Sequence, residues 1–543
     1  MPSASFIALI ALVAAGCGQY LHQFADEDSE IQLEILSDTA ANPTFSVATR
    51  QVSFDISFRA DRNGSYRVLH GAGCSGTQAA GGTNVSGNLS KGSTVASAIS
   101  LPYDDLATYG RQITICMQDT AAYKTTAAIR SFSSGLDTVL LNLATLYNEN
   151  GGGGANINSG TSAAFMLFQT NWTNVLENRN NGNGGPYAGN GVDSPYSHGV
   201  YIDPNHGYRL KYFVADRDNH RILIFNSLPT SNAATADVVV GQTGFTTGFT
   251  TAANAGGAIS AQGFDQPQHV SVSANGTMFV TDLMNHRVLI YNSVPQTNGV
   301  AANTVIGQPG FTTGVLNNGT LVAAARLNSP AAASMIQGRL YIADQANNRI
   351  VVFNSIPTGP GASASFAIGQ GDTATTTSGT DYSTQSSYMN SPYDMFADQS
   401  SPQRLYVADG GNHRVLVYTA LPTGADVRAN FVIGHSGPNF ALANRGAAQP
   451  ANNSLNQPRS IVAQNNKLAI ADQGNNRILF YDLPVNADDP AATHVLGQTD
   501  FISGGAGTTQ TTFNIVKGLI FDNGYIWAAD QANHRVKVIA LPY

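Results

Sequence analysis

The charged side chains that could carry chemistry in this sequence recur in one fixed arrangement, an Asp with an Asn three residues later and an Arg five residues later. The arrangement occurs six times, with the Asp residues 58 to 66 positions apart. The Asp and Arg pairs are Asp216 and Arg221, Asp282 and Arg287, Asp344 and Arg349, Asp409 and Arg414, Asp472 and Arg477, and Asp530 and Arg535. Asp and Asn stabilise turns by bonding backbone N–H groups, and Arg pairs with carboxylates. Because every copy carries the set, we interpret it as a structural turn rather than a catalytic group.

Short apolar runs surround each copy and predict the elements that position it. In the second copy these runs are Val270–Val272, Met278–Val280, Val288–Tyr291 and Thr304–Ile306. Runs of this length, rich in β-branched and aromatic residues and separated by turn residues, are typical of strands. Four strands in a unit that recurs at a fixed period indicate a propeller blade. The sequence therefore predicts an all-β protein with six blades.

The repeated phrase Val-Ala-Asp-x-x-Asn-His-Arg-Ile, first found at Val214–Ile222, resembles the NHL repeat. The resemblance extends from Pro195 to Tyr543 and implies a six-bladed NHL-type β-propeller over residues 163–543. The repeats are longer than usual for that family, and the excess follows a Gly-Gln pair. We expect Phe165–Gln169 to supply the strand that the sixth repeat lacks, since closure removes open sheet edges.

Two histidines, His198 and His269, are candidates for binding near the channel mouth of such a propeller. One NHL-like family, the amidating lyases, places channel histidines around zinc. We treat the corresponding positions of the other repeats as Ala331, Asp394, Arg459 and Lys517. That set does not provide metal ligands. We therefore expect no metal and no cofactor.

The long connections between repeats are the other candidates for recognition. They are rich in Gly, Thr and Asn, and loops on a rigid scaffold are where recognition usually evolves. Phe245, Phe311 and Tyr382 are possible anchors for a ligand on these loops.

The N-terminus has the features of a targeting segment, predicted over residues 1–17. Phe6–Ala15 is apolar and too short to span a bilayer, as in a signal peptide. The junction Gly16-Cys17 resembles a bacterial lipobox, which implies a lipid on Cys17 and anchoring in the bacterial cell envelope, at the outer membrane or cell surface. The alternative is an ordinary signal peptide with an incidental cysteine. Residues 18–29 are predicted to be a tether.

Residues 30–135 alternate in the manner of short strands and predict a small β-sandwich, loosely similar to bacterial immunoglobulin-like domains. The chain has three cysteines. With Cys17 lipidated, Cys74 and Cys116 remain and favour a disulfide in an exported protein. Two buried free thiols are the alternative. Residues 136–162, with four glycines at Gly151–Gly154, are predicted to be a linker.

Composition narrows the class of partner. Only 11% of the residues are charged and the net charge is −8. Nucleic-acid binding depends on clustered Lys and Arg, so this composition argues against it. The sequence favours a lipid-anchored binding or scaffolding module for a protein or a glycan over an enzyme. The alternative is a lyase or hydrolase acting at the channel mouth.

The lipid anchor is testable by metabolic labelling with a fatty acid. We expect label on the wild-type protein and none on Cys17→Ala, because the thiol is the acceptor. Equal labelling of the two proteins would contradict the anchor.

Overall fold

A computed structural model describes residues 33–38, 44–46, 51–60, 63–70, 86–102, 112–119, 125–131, 161–173, 191–203, 209–232, 234–246, 253–370, 388–398, 400–425, 427–437, 440–464, 466–522 and 525–541. The chain divides into two compact units, Met1–Gly135 and Leu136–Tyr543, called unit 1 and unit 2. The predicted lipidation site Cys17, the disulfide candidate Cys74 and the loop residue Tyr382 lie outside the described residues.

Unit 1 contains two four-stranded antiparallel sheets in its described part. The first comprises β1 (Leu33–Asp38), β2 (Thr44–Ser46), β3 (Gln51–Ala60) and β6 (Thr94–Pro102). The second comprises β4 (Gly64–His70), β5 (Ser86–Leu89), β7 (Gln112–Asp119) and β8 (Thr125–Ser131). Phe58 of β3 and Tyr66 of β4 join the sheets, with ring centroids 5.1 Å apart. Cys116, on β7, is disulfide-bonded.

Unit 2 contains six four-stranded antiparallel sheets within the described ranges. Sheet 1 is β10 (Pro195–Asp203), β11 (Arg209–Asp216), β12 (Arg221–Phe225) and β13 (Val238–Val240). Sheet 2 is β14 (Pro267–Val272), β15 (Met278–Asp282), β16 (Arg287–Tyr291) and β17 (Thr304–Ile306). Sheet 3 is β18 (Pro330–Ile336), β19 (Arg339–Asp344), β20 (Arg349–Phe353) and β21 (Phe366–Ile368). Sheets 4 to 6 repeat the pattern.

Sheet 4 is β22 (Pro392–Ala397), β23 (Leu405–Asp409), β24 (Arg414–Tyr418) and β25 (Phe431–Ile433). Sheet 5 is β26 (Pro458–Gln464), β27 (Lys467–Asp472), β28 (Arg477–Asp482) and β29 (His494–Leu496). Sheet 6 is β30 (Val516–Asp522), β31 (Tyr525–Asp530), β32 (Arg535–Ala540) and, from the other end of the unit, β9 (Phe165–Leu167). The strands predicted for the second repeat are therefore confirmed.

The first strands of the six sheets form a closed ring, since each contacts its neighbours and β30 contacts β10. Strand β9 closes the last sheet by pairing antiparallel with β32, so that Phe165 lies opposite Val538. The predicted closure is confirmed. The ring of sheets gives unit 2 the character of a β-propeller.

Apolar side chains fill the space between consecutive sheets. Between sheets 1 and 2, for example, Phe213 and Ile224 pack with Val280 and Leu289 in one cluster of buried residues. The second and third strands read as continuous apolar runs because both of their faces are buried in this way. Their stability therefore depends on the neighbouring sheets.

The helical turns of unit 2 are short. Turns of 3₁₀ type follow the second strand in four sheets, at Gln345–Asn347, Gly410–Asn412, Gln473–Asn475 and Gln531–Asn533. Three further turns, with left-handed residues inside them, lie in the connections between sheets at Ala253–Gly256, Leu316–Gly319 and Ala443–Gly446. Among the described residues, none of the helices has the length and hydropathy needed to cross a membrane.

Removing β9 tests the closure. We compare a chain that begins at Thr170 with a control that begins at Thr161, so that both lack unit 1. Met166, Leu167 and Phe168 are buried, and each contributes about 1.5–3 kcal/mol. We expect the shorter chain to melt roughly 5–10 °C lower or to aggregate through the open edge of β32. Equal melting temperatures and two monomers by size-exclusion chromatography would contradict this role.

Candidate functional site

The Asp and Arg of each repeat form a buried ion pair in the turn between the second and third strands. In all six turns the Arg Nε donates to Asp Oδ2 at 2.7 Å, and both side chains are at most 2% exposed. The turn Asn donates to the same carboxylate. The other carboxylate oxygen accepts a backbone N–H from the residue two positions before the first strand of the sheet. The carboxylate is thus fully used in holding the turn.

The guanidinium group of the Arg also donates hydrogen bonds to the connections between sheets. Arg287 donates from Nη1 to the carbonyl of Phe311 at 2.6 Å and from Nη2 to the carbonyl of Ser260 at 2.8 Å. Ser260 lies in the connection that enters sheet 2 and Phe311 in the one that leaves it. Arg477 and Arg535 make the same kind of contact to Phe501 and Trp172. Arg221, Arg287, Arg477 and Arg535 therefore each hold two loops as well as their own turn.

The position between Asn and Arg is His in four repeats and Asn in two, and the structure explains the exchange. All six residues have a positive φ, between 49° and 55°, which Asn and His tolerate better than most side chains. Each accepts a backbone N–H from the next sheet. His286 Nδ1 accepts from Ser329 at 3.1 Å and Asn348 Oδ1 from Ser391 at 2.9 Å. His534 accepts from Ser194, which joins the last sheet to the first.

The Gly-Gln pair after the fourth strand also has a structural role. Gly307 has φ +91°, and a Cβ there would come within 2.7 Å of Leu327. Gln308 donates to the carbonyl of His286 at 3.2 Å. In the closing strand Gln169 donates to the carbonyl of His534 at 3.0 Å. The final sheet thus has the same hydrogen bond from Gln to the carbonyl of the turn residue. Phe168, with φ 72°, stands where the other sheets have a glycine.

A second set of asparagines, which was not predicted from the sequence, binds the connections to the turns. Asn317 and Asn347 exchange side-chain hydrogen bonds of 3.2 and 2.8 Å. Asn444 and Asn475 form the same pair at 3.1 and 2.8 Å, and Asn285 donates to Asn254. The signal in the sequence was the spacing Asn-x-Gly, which allows two left-handed residues before the glycine.

The proposed anchors Phe245 and Phe311 are half-buried. Phe245 packs on the cluster of sheets 6 and 1, and Phe311 on the cluster of sheets 1 and 2. Their carbonyls accept from Arg221 and Arg287. Their ligand role stays a prediction, and the contacts give both residues a place in the scaffold.

A cavity of about 650 Å³ runs along the ring of first strands. Our expectation that His198, His269, Ala331, Asp394, Arg459 and Lys517 occupy equivalent positions is wrong. A bulge follows the start of every first strand. His198 pairs with Val214, two residues before Asp216, whereas His269 pairs with Thr281, directly before Asp282. A shift of one residue points a side chain to the other face of the strand.

The two histidines therefore have different surroundings. His198 is buried, with Nε2 3.0 Å from the carbonyl of Gly518 and Nδ1 3.1 Å from the Tyr212 hydroxyl. Both ring nitrogens are used within the scaffold. Nδ1 of His269 has no hydrogen-bond partner among the described residues. Burial lowers the pKa of each to about 4, so both rings are neutral at pH 7.

At the mouth of the cavity the tertiary structure gathers side chains that are far apart in the sequence. Arg459 and Lys517, at the starts of β26 and β30, lie beside the ring of Tyr196, at the start of β10. Arg217, in the turn of sheet 1, also contacts this ring. Among the described residues no group of three or more His, Cys, Asp and Glu side chains could hold a metal ion.

No protein-family model matches this sequence, and no curated protein matches it. Similar solved structures include a provisional 6-phosphogluconolactonase from Bacteroides fragilis, with 9% identity over 86% of this chain and 88% of that chain and a TM-score of 0.35. A provisional glucose dehydrogenase from Thermus thermophilus has 12% identity, coverage of 64% and 97%, and a TM-score of 0.34. YCF48 bound to a D1 peptide has 8% identity, coverage of 65% and 96%, and a TM-score of 0.29. Similarity at this level carries no functional argument, so the propeller character rests on the strand pairing.

His413 allows a test of the bond between sheets. Its Nδ1 accepts from the backbone of Gln457 at 3.1 Å, and burial lowers its pKa despite the opposing effects of Asn456, Asp472 and Asp409. Its contribution to stability is present above the ordinary pKa of about 6.5 and is lost as pH falls below it, because the unfolded state binds the proton first.

We expect His413→Ala to cost about 1 kcal/mol at pH 8, whereas His413→Asn should stay close to wild type, as in the two native Asn repeats. Urea unfolding at pH 8 and pH 5 measures both effects. Between these pH values His413→Asn should lose less stability than the wild type, and a greater loss would contradict this role.

Proposed function

We propose that the chain is an envelope lipoprotein that uses a six-bladed NHL-type propeller as a binding or scaffolding module for a protein partner. In this proposal unit 1 is an immunoglobulin-like sandwich carrying a Cys74–Cys116 disulfide. The lipid on Cys17 and the tether after it hold both units at the outer membrane or cell surface. The disulfide at Cys116 supports an exported location.

One observation carries the choice of binding face. The starts of the first and third strands and the ends of the second and fourth lie at one edge of each sheet, because Pro195 pairs with Asp216, Asp216 with Arg221 and Ile222 with Val240. We call this side the loop face. The exposed large apolar side chains of the described part of unit 2 all belong to it: Met284, Val315, Leu316, Leu321, Phe440, Leu442 and Ile502.

Exposed apolar groups of this kind mark interaction sites when they concentrate on one side of a soluble domain. Leu321 is 84% exposed and Leu442 65% exposed. Both stand on connections that the Arg and Asn contacts hold in place. Loops that are already ordered lose less conformational entropy when a partner binds. The apolar character favours a protein partner over a glycan.

The contacts of the histidines support a binding module rather than a lyase or hydrolase. Both ring nitrogens of His198 form contacts within the scaffold. Neither nitrogen is therefore available to act as a general base or to bind a metal ion. His269 lies on the first strand of the next sheet, and its position relative to the turn Asp differs by one residue from that of His198.

The loop face is tested with Leu321→Ser combined with Leu442→Ser. Leu36→Ser, at the exposed leucine of unit 1, is the matched control. Photo-crosslinking in envelope extract, followed by mass spectrometry, identifies the partner of the wild-type protein. Purified partner is then titrated against each variant.

We expect the double variant to bind at least tenfold more weakly with an unchanged melting temperature, and the control to bind normally. Unchanged affinity, or crosslinks on the opposite face, would place the partner elsewhere. Crosslinking to glycan alone would overturn the choice of a protein partner.

A further inference from the structure

Three basic side chains surround one tyrosine at the cavity mouth. The Tyr196 ring centroid lies 4.6 Å from Lys517 Nζ, 5.5 Å from Arg459 Cζ and 5.4 Å from Arg217 Cζ. Arg459 also lies over Tyr393, 3.2 Å from its centroid. The Arg459 guanidinium group thus contacts both rings.

Only one of the three basic side chains has a carboxylate partner among the described residues. Arg217 pairs with Asp218 at 2.8 Å. Arg459 Nε and Lys517 Nζ both donate to one amide oxygen, Oε1 of Gln473, at 2.5 and 2.7 Å. Because they share this atom, the two cationic groups lie close together. Lys517 further donates to the Tyr196 hydroxyl at 3.2 Å.

One hydrogen-bond donor beside Tyr196, on Arg459, has no acceptor within the described ranges. Lys517 is only 6% exposed. Arg459 Nη1 is buried and has no hydrogen-bond partner in the part of the chain that the structure describes. A buried guanidinium donor without a partner is costly, because its desolvation is not repaid.

Without a ligand, the protonated form of Lys517 is also unfavourable. Burial, together with the positive charges of Arg459 and Arg217, lowers the pKa of Lys517 to about 5. Asp394, another group lining the cavity, is engaged by the backbone N–H groups of Met395 and Ile461. The Arg459 guanidinium group therefore remains at the mouth as a positive charge without a carboxylate partner among the described residues.

We propose that the cavity mouth binds a small anion, with its carboxylate or phosphate oxygens held between the Arg459 guanidinium group and the Lys517 ammonium group. The anion supplies the acceptor that Arg459 Nη1 lacks. Its charge also favours the protonated form of Lys517, so binding takes up a proton from the buffer. The flat guanidinium group suits a planar carboxylate, and phosphate offers the same type of oxygen. This site is additional to the apolar tips of the loop face and does not depend on their having a partner.

Isothermal titration calorimetry on the purified full-length protein tests the site. The probes are D-galacturonate, its neutral counterpart D-galactose, and inorganic phosphate. We expect one anion per chain, weaker binding at high salt and no binding of galactose. Comparison of galacturonate with phosphate distinguishes a carboxylate site from a phosphate site. At pH 7, two buffers of different ionisation enthalpy should give different binding heats, as proton uptake at Lys517 requires.

The variants are Arg459→Gln and Lys517→Met. Arg339→Gln is the matched control, since Arg339 also lies over an aromatic ring, that of Phe366, away from the mouth. We expect at least tenfold weaker anion binding in the first two variants and none of this loss in the control. Without anion, Lys517→Met should melt at a higher temperature than the wild type, because it removes a buried amine whose protonation is unfavourable.

Failure of both anions to bind the folded wild-type protein at millimolar concentration would overturn the proposal. Anion binding retained by Lys517→Met would also overturn it, even if Arg459→Gln fails to fold. If Lys517→Met also melted at a lower temperature than the wild type, the role of the lysine would be purely structural.

Discussion

The buried Asp–Arg pair is the interaction on which the rest of unit 2 depends. It occurs once per sheet and is excluded from water. In sheet 2, for example, its oxygens and nitrogens bond to the turn and to two neighbouring loops. Removing one partner of such a pair leaves a buried charge and costs about 3–5 kcal/mol. This cost explains why the Asp and the Arg are present in all six repeats while the connections differ in sequence.

The contacts that join one sheet to the next are of two kinds. Apolar side chains fill the space between sheets, and the left-handed His or Asn accepts a backbone N–H from the following sheet. The same bond runs from sheet 1 to sheet 6 through Ser194 and His534. Together with β9, which pairs with the otherwise open side of β32, it closes the ring. Because the scaffold contacts lie in the turns and between the sheets, residues at the starts of the first strands are left to form the cavity mouth.

The repeats, the four strands in each and the closing strand were predictable, because they depend on local periodicity and on residue types that recur. The placement of His198 and His269 was not. A bulge at the start of each first strand shifts the register by a residue, and the sequence carries no local sign of its length. The Asn pairs of the connections were not predicted either. Asn317 and Asn444 each precede a glycine by two residues, but this spacing does not identify the Asn with which each one pairs.

The sequence by itself determined the all-β class, the period of the repeats and the residues that make each turn, because these follow from strand propensity and from bonds within a few residues. Only the tertiary structure decided which distant side chains meet. Arg459, Lys517 and Tyr196 come from sheets 5, 6 and 1 and converge because the ring closes. An acidic chain with no basic run thus brings an arginine and a lysine together at one cavity mouth. Charge at a site depends on proximity in space, which composition and spacing along the chain do not contain.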